Sequence, residues 1–249
     1  MKWYKADLHI HSVLSPCGSL DMSPKNIVQS ALDKELEIIA ITDHNSTLQA
    51  KYVRKVAQKH ELLVVTGIEV TTKEEIHVLA YFQNDEDAQS FQKYLDERLP
   101  NIENNPDFFG YQVVVDENDE IVYEEPKLLI SAIDSNFEQV VEAINNHNGV
   151  PVPAHINKPK NSILSQLGFI PHGSAFSAIE VSRRVRDNSW QQWVGNKDYF
   201  VLANSDAHFP ENIGDETTSL YMKDNSIEAF FEVIRNIDKN NLRTSLTVN

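Results

Sequence analysis

The sequence predicts an α/β fold arranged as a closed or nearly closed (β/α) barrel. Apolar runs with strand character alternate with helix-like segments, the pattern of successive parallel βαβ units. Histidines and carboxylates recur where those runs end, and parallel barrels gather functional groups at the C-terminal ends of their strands. The chain has 249 residues, a length that suits one large α/β domain or two small ones and allows a substantial core. We take residues 1–249 as a single barrel domain.

The first run, Trp3 to His11, ends in Asp7-Leu8-His9-Ile10-His11. Residues i and i+2 of a strand share a face, so His9 and His11 project side by side, as two imidazoles on one metal ion do. Ser23-Pro24 opens a helix over 23–34, a capping serine followed by proline at the first helical position. The run 38–41 leads into Asp43-His44-Asn45, and a helix follows over 47–59. The run 62–66 leads into Gly67-Ile68-Glu69. The run 76–82 carries His77 near its start, and a helix follows over 85–98. Residues 99–129 break the alternation: a β-run at 112–115, the acidic turn 116–120 and a β-run at 121–123 predict an inserted hairpin packed on the barrel. A helix over 136–146 stops at Asn148-Gly149. The run 150–154 leads into His155. The run 178–181 precedes Arg183 and Arg184, and the run 199–203 leads into Ser205-Asp206-Ala207-His208, where Asp206 and His208 again share a face. A run at 219–222 and a helix over 227–237 complete the pattern.

Composition bounds the function. Lys and Arg total 22 against 37 Asp and Glu, a net charge of −15. Such a surface disfavours non-specific binding to nucleic acid or anionic membranes. A small anionic substrate stays open, because divalent ions invert the local potential. The single cysteine, Cys17, excludes an internal disulfide and fits a reducing compartment. The first residues lack the apolar segment of a signal peptide, and no apolar run reaches transmembrane length. The expectation is a cytoplasmic protein; its oligomeric state is open.

Six histidines and two carboxylates at strand ends are more than a core requires. Neutral imidazoles and carboxylates suit Zn, Mn or Fe, and a carboxylate can bridge two ions. The stretches 7–12, 41–45 and 67–69, His77, Ala154-His155 and 205–208 resemble, in order and number, the successive motifs of the PHP (polymerase and histidinol phosphatase) family. The resemblance covers nearly the whole chain. It implies a distorted seven-stranded (β/α) barrel with two or three divalent ions at its mouth. His9, His11, Glu69 and Asp206 would hold the first metal. Glu69 would bridge to a second, held by His77 and His155, and His44 and His208 would hold a third. Asp7 and Asp43 are supporting or capping groups. The family usually places an Asp or His after the His-x-His as a further ligand of the third metal, and this chain has none there. Cys17 stands six residues after His11, either as a thiolate ligand favouring Zn or Fe or as a small buried residue of a Pro-Cys-Gly turn.

The activity implied is hydrolysis of phosphoesters by a metal-bound hydroxide, on a small phosphorylated metabolite, a nucleotide or the end of a short oligonucleotide. The expected catalytic set is Glu69, Asp206 and His208 with Arg183 and Arg184, which would meet phosphoryl oxygens; Lys158 is a further candidate for that contact. His172 lies on a loop, either as an assisting acid or as an exposed loop histidine, and His60 and His147 are helix-end residues with no assigned role. Two other classes compete. Amidohydrolase-type C–N hydrolases also open with His-x-His but need a strand-four lysine, which the run 76–82 lacks. A metal-stabilised barrel with decayed catalysis would have lost ligands, and here only the Cys17 position departs.

Overall fold

The computed structural model describes residues 1–171, 173, 175–182, 185, 190–194, 199–236 and 239–244. Its strands are β1 (Lys2–Ile10), β2 (Ile38–Ile41), β3 (Leu63–Thr71), β4 (His77–Phe82), β5 (Val113–Val115), β6 (Ile121–Glu124), β7 (Val150–Pro153), β8 (Ala178–Glu180), β9 (Phe200–Leu202), β10 (Thr218–Met222) and β11 (Leu242–Thr244). Its helices are α1 (Pro24–Asp33), α2 (Ala50–Ala57), α3 (Asp85–Asp96), α4 (Pro106–Phe109), α5 (Phe137–Asn146), α6 (Ile163–Leu167), α7 (Trp190–Val194) and α8 (Ile227–Arg235). The sequence places most of the major elements to within a few residues at their ends, but the run read as 62–66 continues as β3 to Thr71 and takes Glu69 into the strand. Ser23 caps α1 by accepting from Asn26 N, and Asn136 and Gln139 form a reciprocal capping box on α5.

Seven strands form one curled sheet in the order β11-β10-β1-β2-β3-β4-β7, and β8 and β9 form a parallel pair. Single contacts carry that pair across the gap in the curl. Ile156 N donates to Glu180 O at 2.8 Å, His11 N to Ala207 O at 2.9 Å and Ala203 N to Thr218 Oγ1 at 3.1 Å. The result is a distorted TIM-like barrel, the fold class read from the sequence.

The distortion lies in strand direction. The alternating pattern predicts parallel units throughout, whereas β4 runs antiparallel to both β3 and β7, and β10 antiparallel to β1. The cause is local: β3 and β4 are joined by a tight turn at 72–76, with Thr72 N donating to Ile76 O and Glu75 at φ 61°. No helix intervenes, so no parallel crossover can form.

Inside the barrel, Ala6, Leu8, Ala40, Val65, Leu79, Tyr81 and Val152 pack with Phe230 and Phe231 of α8. The Tyr81 hydroxyl donates to Leu8 O at 2.9 Å. Outside, α3 and α5 cover β4 through Phe91, Leu95, Phe137 and Ile144, and α1 and α2 cover β2 through Ile27, Ala31 and Val53. The predicted hairpin is β5–β6, with β5 buried and β6 exposed. Its arm leans on the loop after β1: Val113 N donates to Val13 O, and Gly110, at φ 99°, lies so close to the Pro16 carbonyl that a side chain there would collide with it.

The stop after α5 works differently from its sequence reading. Asn148 takes the left-handed conformation, at φ 56°. Gly149 is needed for space, since a Cβ there would lie 2.7 Å from Phe82 Cε1 and 2.8 Å from Ile144 Cγ2. Phe82 and Ile144 are buried core residues and cannot swing aside. Gly149→Ala is therefore expected to destabilise the protein by about 1–3 kcal/mol through overpacking, read as a lower urea midpoint at unchanged slope.

Candidate metal centre

The antiparallel run of β4 explains why His77 stands at the start of its strand while its partners follow theirs. The N-terminal end of β4 lies at the same end of the barrel as the C-terminal ends of β1, β2, β7 and β9. His9 and His11 come from the end of β1, where the pairing with β2 slips register between Asp7 and Ile10. Irregularities of this kind re-aim side chains beside functional sites. His44 follows β2, Glu69 stands in β3, His155 follows β7, and Asp206 and His208 follow β9.

These groups converge on Glu69, whose side chain is 1% exposed. Its Oε1 lies 3.3 Å from His9 Nε2, 2.9 Å from His77 Nδ1 and 3.2 Å from His155 Nε2. Its Oε2 lies 3.3 Å from His11 Nε2 and 3.2 Å from His44 Nδ1. Asp206 Oδ1 lies 3.3 Å from His9 Nε2 and 3.2 Å from His11 Nε2. Yet His9 Nε2, His11 Nε2 and His44 Nδ1 are buried with no hydrogen-bond partner, as is His155 Nδ1. The first three face carboxylate oxygens off the hydrogen-bond direction, as ligands around a common centre do, while His77 Nδ1 and His155 Nε2 hydrogen-bond Glu69 Oε1. Two donors each about 2.0–2.2 Å from a tetrahedral ion sit about 3.3–3.6 Å apart, close to the spacings here, so the residues present fit a metal.

Three groups of ligand atoms lie within 4.8 Å of one another: His9, His11 and Asp206; His44, Glu69 and His77; and His11, Cys17, His44 and His208. Cys17 thus joins the cluster, and it is exposed rather than buried.

Neighbours orient the rings. Ser15 Oγ donates to Asp43 Oδ1 at 2.7 Å and accepts from His44 N at 3.2 Å. Its remaining lone pair accepts from His11 Nδ1 at 2.9 Å, which leaves Nε2 of His11 facing Glu69 and Asp206. His208 Nδ1 donates to its neighbour's carbonyl, Asp206 O, at 2.9 Å. His9 Nδ1 lies 3.0 Å from Glu180 Oε2. Asp43 also accepts from Ser12 N and Ser12 Oγ, and Asp7 accepts from Ser205 N and Gly214 N. Both aspartates hold backbone around the site, as supporting groups do.

Burial and the charges of the clustered carboxylates and imidazoles together set the ionisation pattern. Burial alone would lower His9 and His11, but Glu180, Asp206 and Glu69 hold His9 well above the imidazole range, and Asp206 and Glu69 bring His11 up to about 9. Against burial, His77, His9 and His44 hold Glu69 well below the carboxylate range, and His9, His11 and Lys158 do so for Asp206. Burial lowers His44 and His155, and burial with the charge of His11 brings His208 down to about 4. Desolvation with the charges of Glu69 and Asp206 pushes the Cys17 thiol up to about 12, and burial raises Asp7 to about 6. A bound cation supplies the charge that these protons otherwise provide.

Lys158 Nζ pairs with Asp206 Oδ2 at the rim. Arg183, Arg184 and His172 lie outside the described residues. Glu180 and Ser15 are the functional neighbours that the sequence reading missed. A glutamate within the apolar run 178–181 was the available signal for the first, and nothing marked the second.

The PHP domain matches residues 7–149, more than half of the chain. The chain belongs to the PHP family. The PHP-associated domain matches residues 191–237. The fold is similar to that of the lesion-specific endonuclease Q of Pyrococcus furiosus, with a TM-score of 0.73 at 18% identity over 98% of this chain and 58% of that one. It is also similar to a protein of Bifidobacterium adolescentis described as a metal-dependent phosphoesterase, with a TM-score of 0.56 at 19% identity over 83% of this chain and 88% of that one. An uncharacterised protein of Methanocaldococcus jannaschii is 33% identical over 90 residues, 33% of this chain and 52% of that one. The PHP chain thus spans little more than half the length of endonuclease Q and of the archaeal relative. Among the described residues no helix is long and apolar enough to cross a membrane.

Chelation is expected to lower the thermal midpoint and resupplied Zn²⁺ or Mn²⁺ to restore it. Each position held at a hundred times its dissociation constant adds about 2.7 kcal/mol. In His9→Ala the midpoint should respond less to chelator, with fewer ions per chain by elemental analysis. A wild-type midpoint indifferent to both chelator and metal would count against the centre.

Proposed function

We propose that this PHP protein hydrolyses phosphoesters of small phosphorylated metabolites, nucleotides or short oligonucleotide ends at a site of two or three divalent ions. The observation that carries the reading is the set of buried, unpartnered imidazole nitrogens turned toward the oxygens of Glu69 and Asp206. His9, His11, Glu69 and Asp206 would hold one ion, and Glu69, His77 and His155 a second. His44, His208 and Cys17 would hold a third beside His11. A thiolate among these ligands favours Zn or Fe over Mn at that position. Bound ions polarise the phosphoryl oxygens and activate water for in-line attack.

The chain's own residues do the rest. Ser15 and Asp43 keep His11 aimed inward, and the His208 backbone contact does the same for its ring. Lys158, paired with Asp206 at the rim, would meet a phosphoryl oxygen there. Arg183 and Arg184 follow β8 in sequence and remain candidates for a second contact. The net charge of −15 opposes a long polyanion laid across a broad surface. It leaves room for one or two nucleotides entering end-on, so a lesion-bearing duplex of the kind that endonuclease Q cleaves belongs among the substrates tried.

Barrels of this shape host many chemistries, so fold likeness does not choose the bond cleaved. The C–N hydrolase alternative lacks its bridging lysine, since β4 reads His-Val-Leu-Ala-Tyr-Phe and Glu69 occupies the centre.

Protein supplied with Zn²⁺ or Mn²⁺ should hydrolyse p-nitrophenyl phosphate or its bis ester, and His9→Ala should abolish this. Lys158→Ala should lower kcat/KM by about 10- to 100-fold, or about 1.4–2.7 kcal/mol of transition-state stabilisation. Metal-replete protein inert toward mono- and diesters but active on an amide would overturn the reading. Elemental analysis should count two or three ions per wild-type chain; three, falling to two in Cys17→Ala, would place Cys17 among the ligands, and a count of two would remove it from the set.

A further inference from the structure

We propose that Glu180 is a positioning residue shared by two metal positions, holding His9 for the first and His155 for the second. The inference rests on the metal-site reading above and assigns a role to a residue outside the ligand set. Glu180 ends β8, the strand pair that fills the gap in the curled sheet, and is 1% exposed. Its carboxylate stands between the ends of β1 and β7.

Three donors meet that carboxylate. His9 Nδ1 lies 3.0 Å from Oε2 and 3.2 Å from Oε1. The backbone N–H of His155 donates to Oε2 at 3.0 Å. The Asn204 side chain donates to Oε1 at 2.8 Å, while its own Oδ1 accepts from Leu8 N at 3.0 Å, one residue before His9. With His9 ligating through Nε2 its proton sits on Nδ1, so both oxygens face donors and each of these partners is a donor. Only an ionised carboxylate satisfies that arrangement. A glutamine of the same shape must turn its NH₂ toward His9 Nδ1–H, toward His155 N–H or toward the Asn204 amide, leaving two donors facing each other in a buried place.

The two histidines need this anchor for different reasons. For His9, accepting the Nδ1 proton leaves Nε2 as the atom that faces Glu69 and Asp206, and it fixes the ring plane. For His155, the issue is the backbone, which sits at φ 30°, a conformation that a non-glycine residue adopts only under constraint. The bond from its N–H to Glu180 is a constraint of that kind. It places the ring with Nε2 3.2 Å from Glu69 Oε1 and stacks it on His9, with centroids 5.9 Å apart and an interplanar angle of 16°. One carboxylate thus aims one imidazole at each of two adjacent positions that share Glu69.

The test is Zn²⁺ affinity of the full chain, by competition with a chromophoric chelator, for wild type, Glu180→Gln, Glu180→Asp and His155→Ala, with thermal melts of the chelated proteins alongside. Glu180→Gln should weaken two ions together, each by about 10- to 100-fold, whereas His155→Ala should weaken one. Glu180→Asp, which keeps the charge one methylene further back, should recover part of the loss at both positions. If Glu180→Gln does not fold, Glu180→Asp carries the test alone, with reduced affinity expected at both positions. The inference is overturned if Glu180→Gln binds Zn²⁺ as wild type does, or if only one position weakens. It is also overturned if both variants lower the chelated melting point equally with no change in affinity, the signature of barrel closure alone. A wild type that takes up no Zn²⁺ would sink the metal-site reading itself, a separate result from a wild type and a Glu180→Gln variant that bind alike.

Discussion

The buried carboxylate of Glu69 is the constraint around which this PHP barrel is organised. A charge removed from water is costly unless it is closely paired. Here five imidazoles from four different places in the chain surround its two oxygens. Each is delivered by the end of a strand, so the register of the sheet and the geometry of the site are a single requirement. The backbone shows the same demand. Asn45, His155 and Asp206 hold positive φ angles of 48°, 30° and 50°, all beside the centre. Such strain persists only where the surroundings over-determine it. Asn45 illustrates how: its side-chain amide donates to Leu129 O and Ser131 O, and its Oδ1 accepts from Thr71 N.

Around that centre the structure builds a second ring of polar contacts. Asp43 acts through Ser15 on His11, and Glu180 acts directly on His9 and His155. Asp7 ties the loop after β9 to β1. These contacts leave the inward nitrogens of His9 and His11 free of hydrogen bonds, which is the arrangement metal ligation needs and a plain buried histidine avoids. The hairpin arm takes part from outside, since it packs against the loop that carries Ser15, Pro16 and Cys17.

Much of this was legible in the chain. The alternation of strand and helix was readable because burial imposes periods of two and of three to four residues on apolar side chains. The site was readable because imidazoles and carboxylates at the ends of apolar runs have no core function to explain them. Strand direction was not readable at β4: the run 76–82 looks the same whichever way its neighbours point, and the short turn at 72–76 decides it. Glu180 escaped notice because a lone glutamate in a three-residue strand gains meaning only from what faces it.

The sequence by itself determined which imidazoles and carboxylates stand at strand ends and roughly which elements carry them, because residue type and local spacing are properties of neighbours in the chain. Only the tertiary structure decided that His77 meets its partners from the start of a reversed strand, that Cys17 reaches the same cluster, and that Glu180 stands behind two histidines at once. Those facts depend on contacts between residues as far apart as His9 and Glu180, whose separation of 171 positions leaves no periodic trace in the chain.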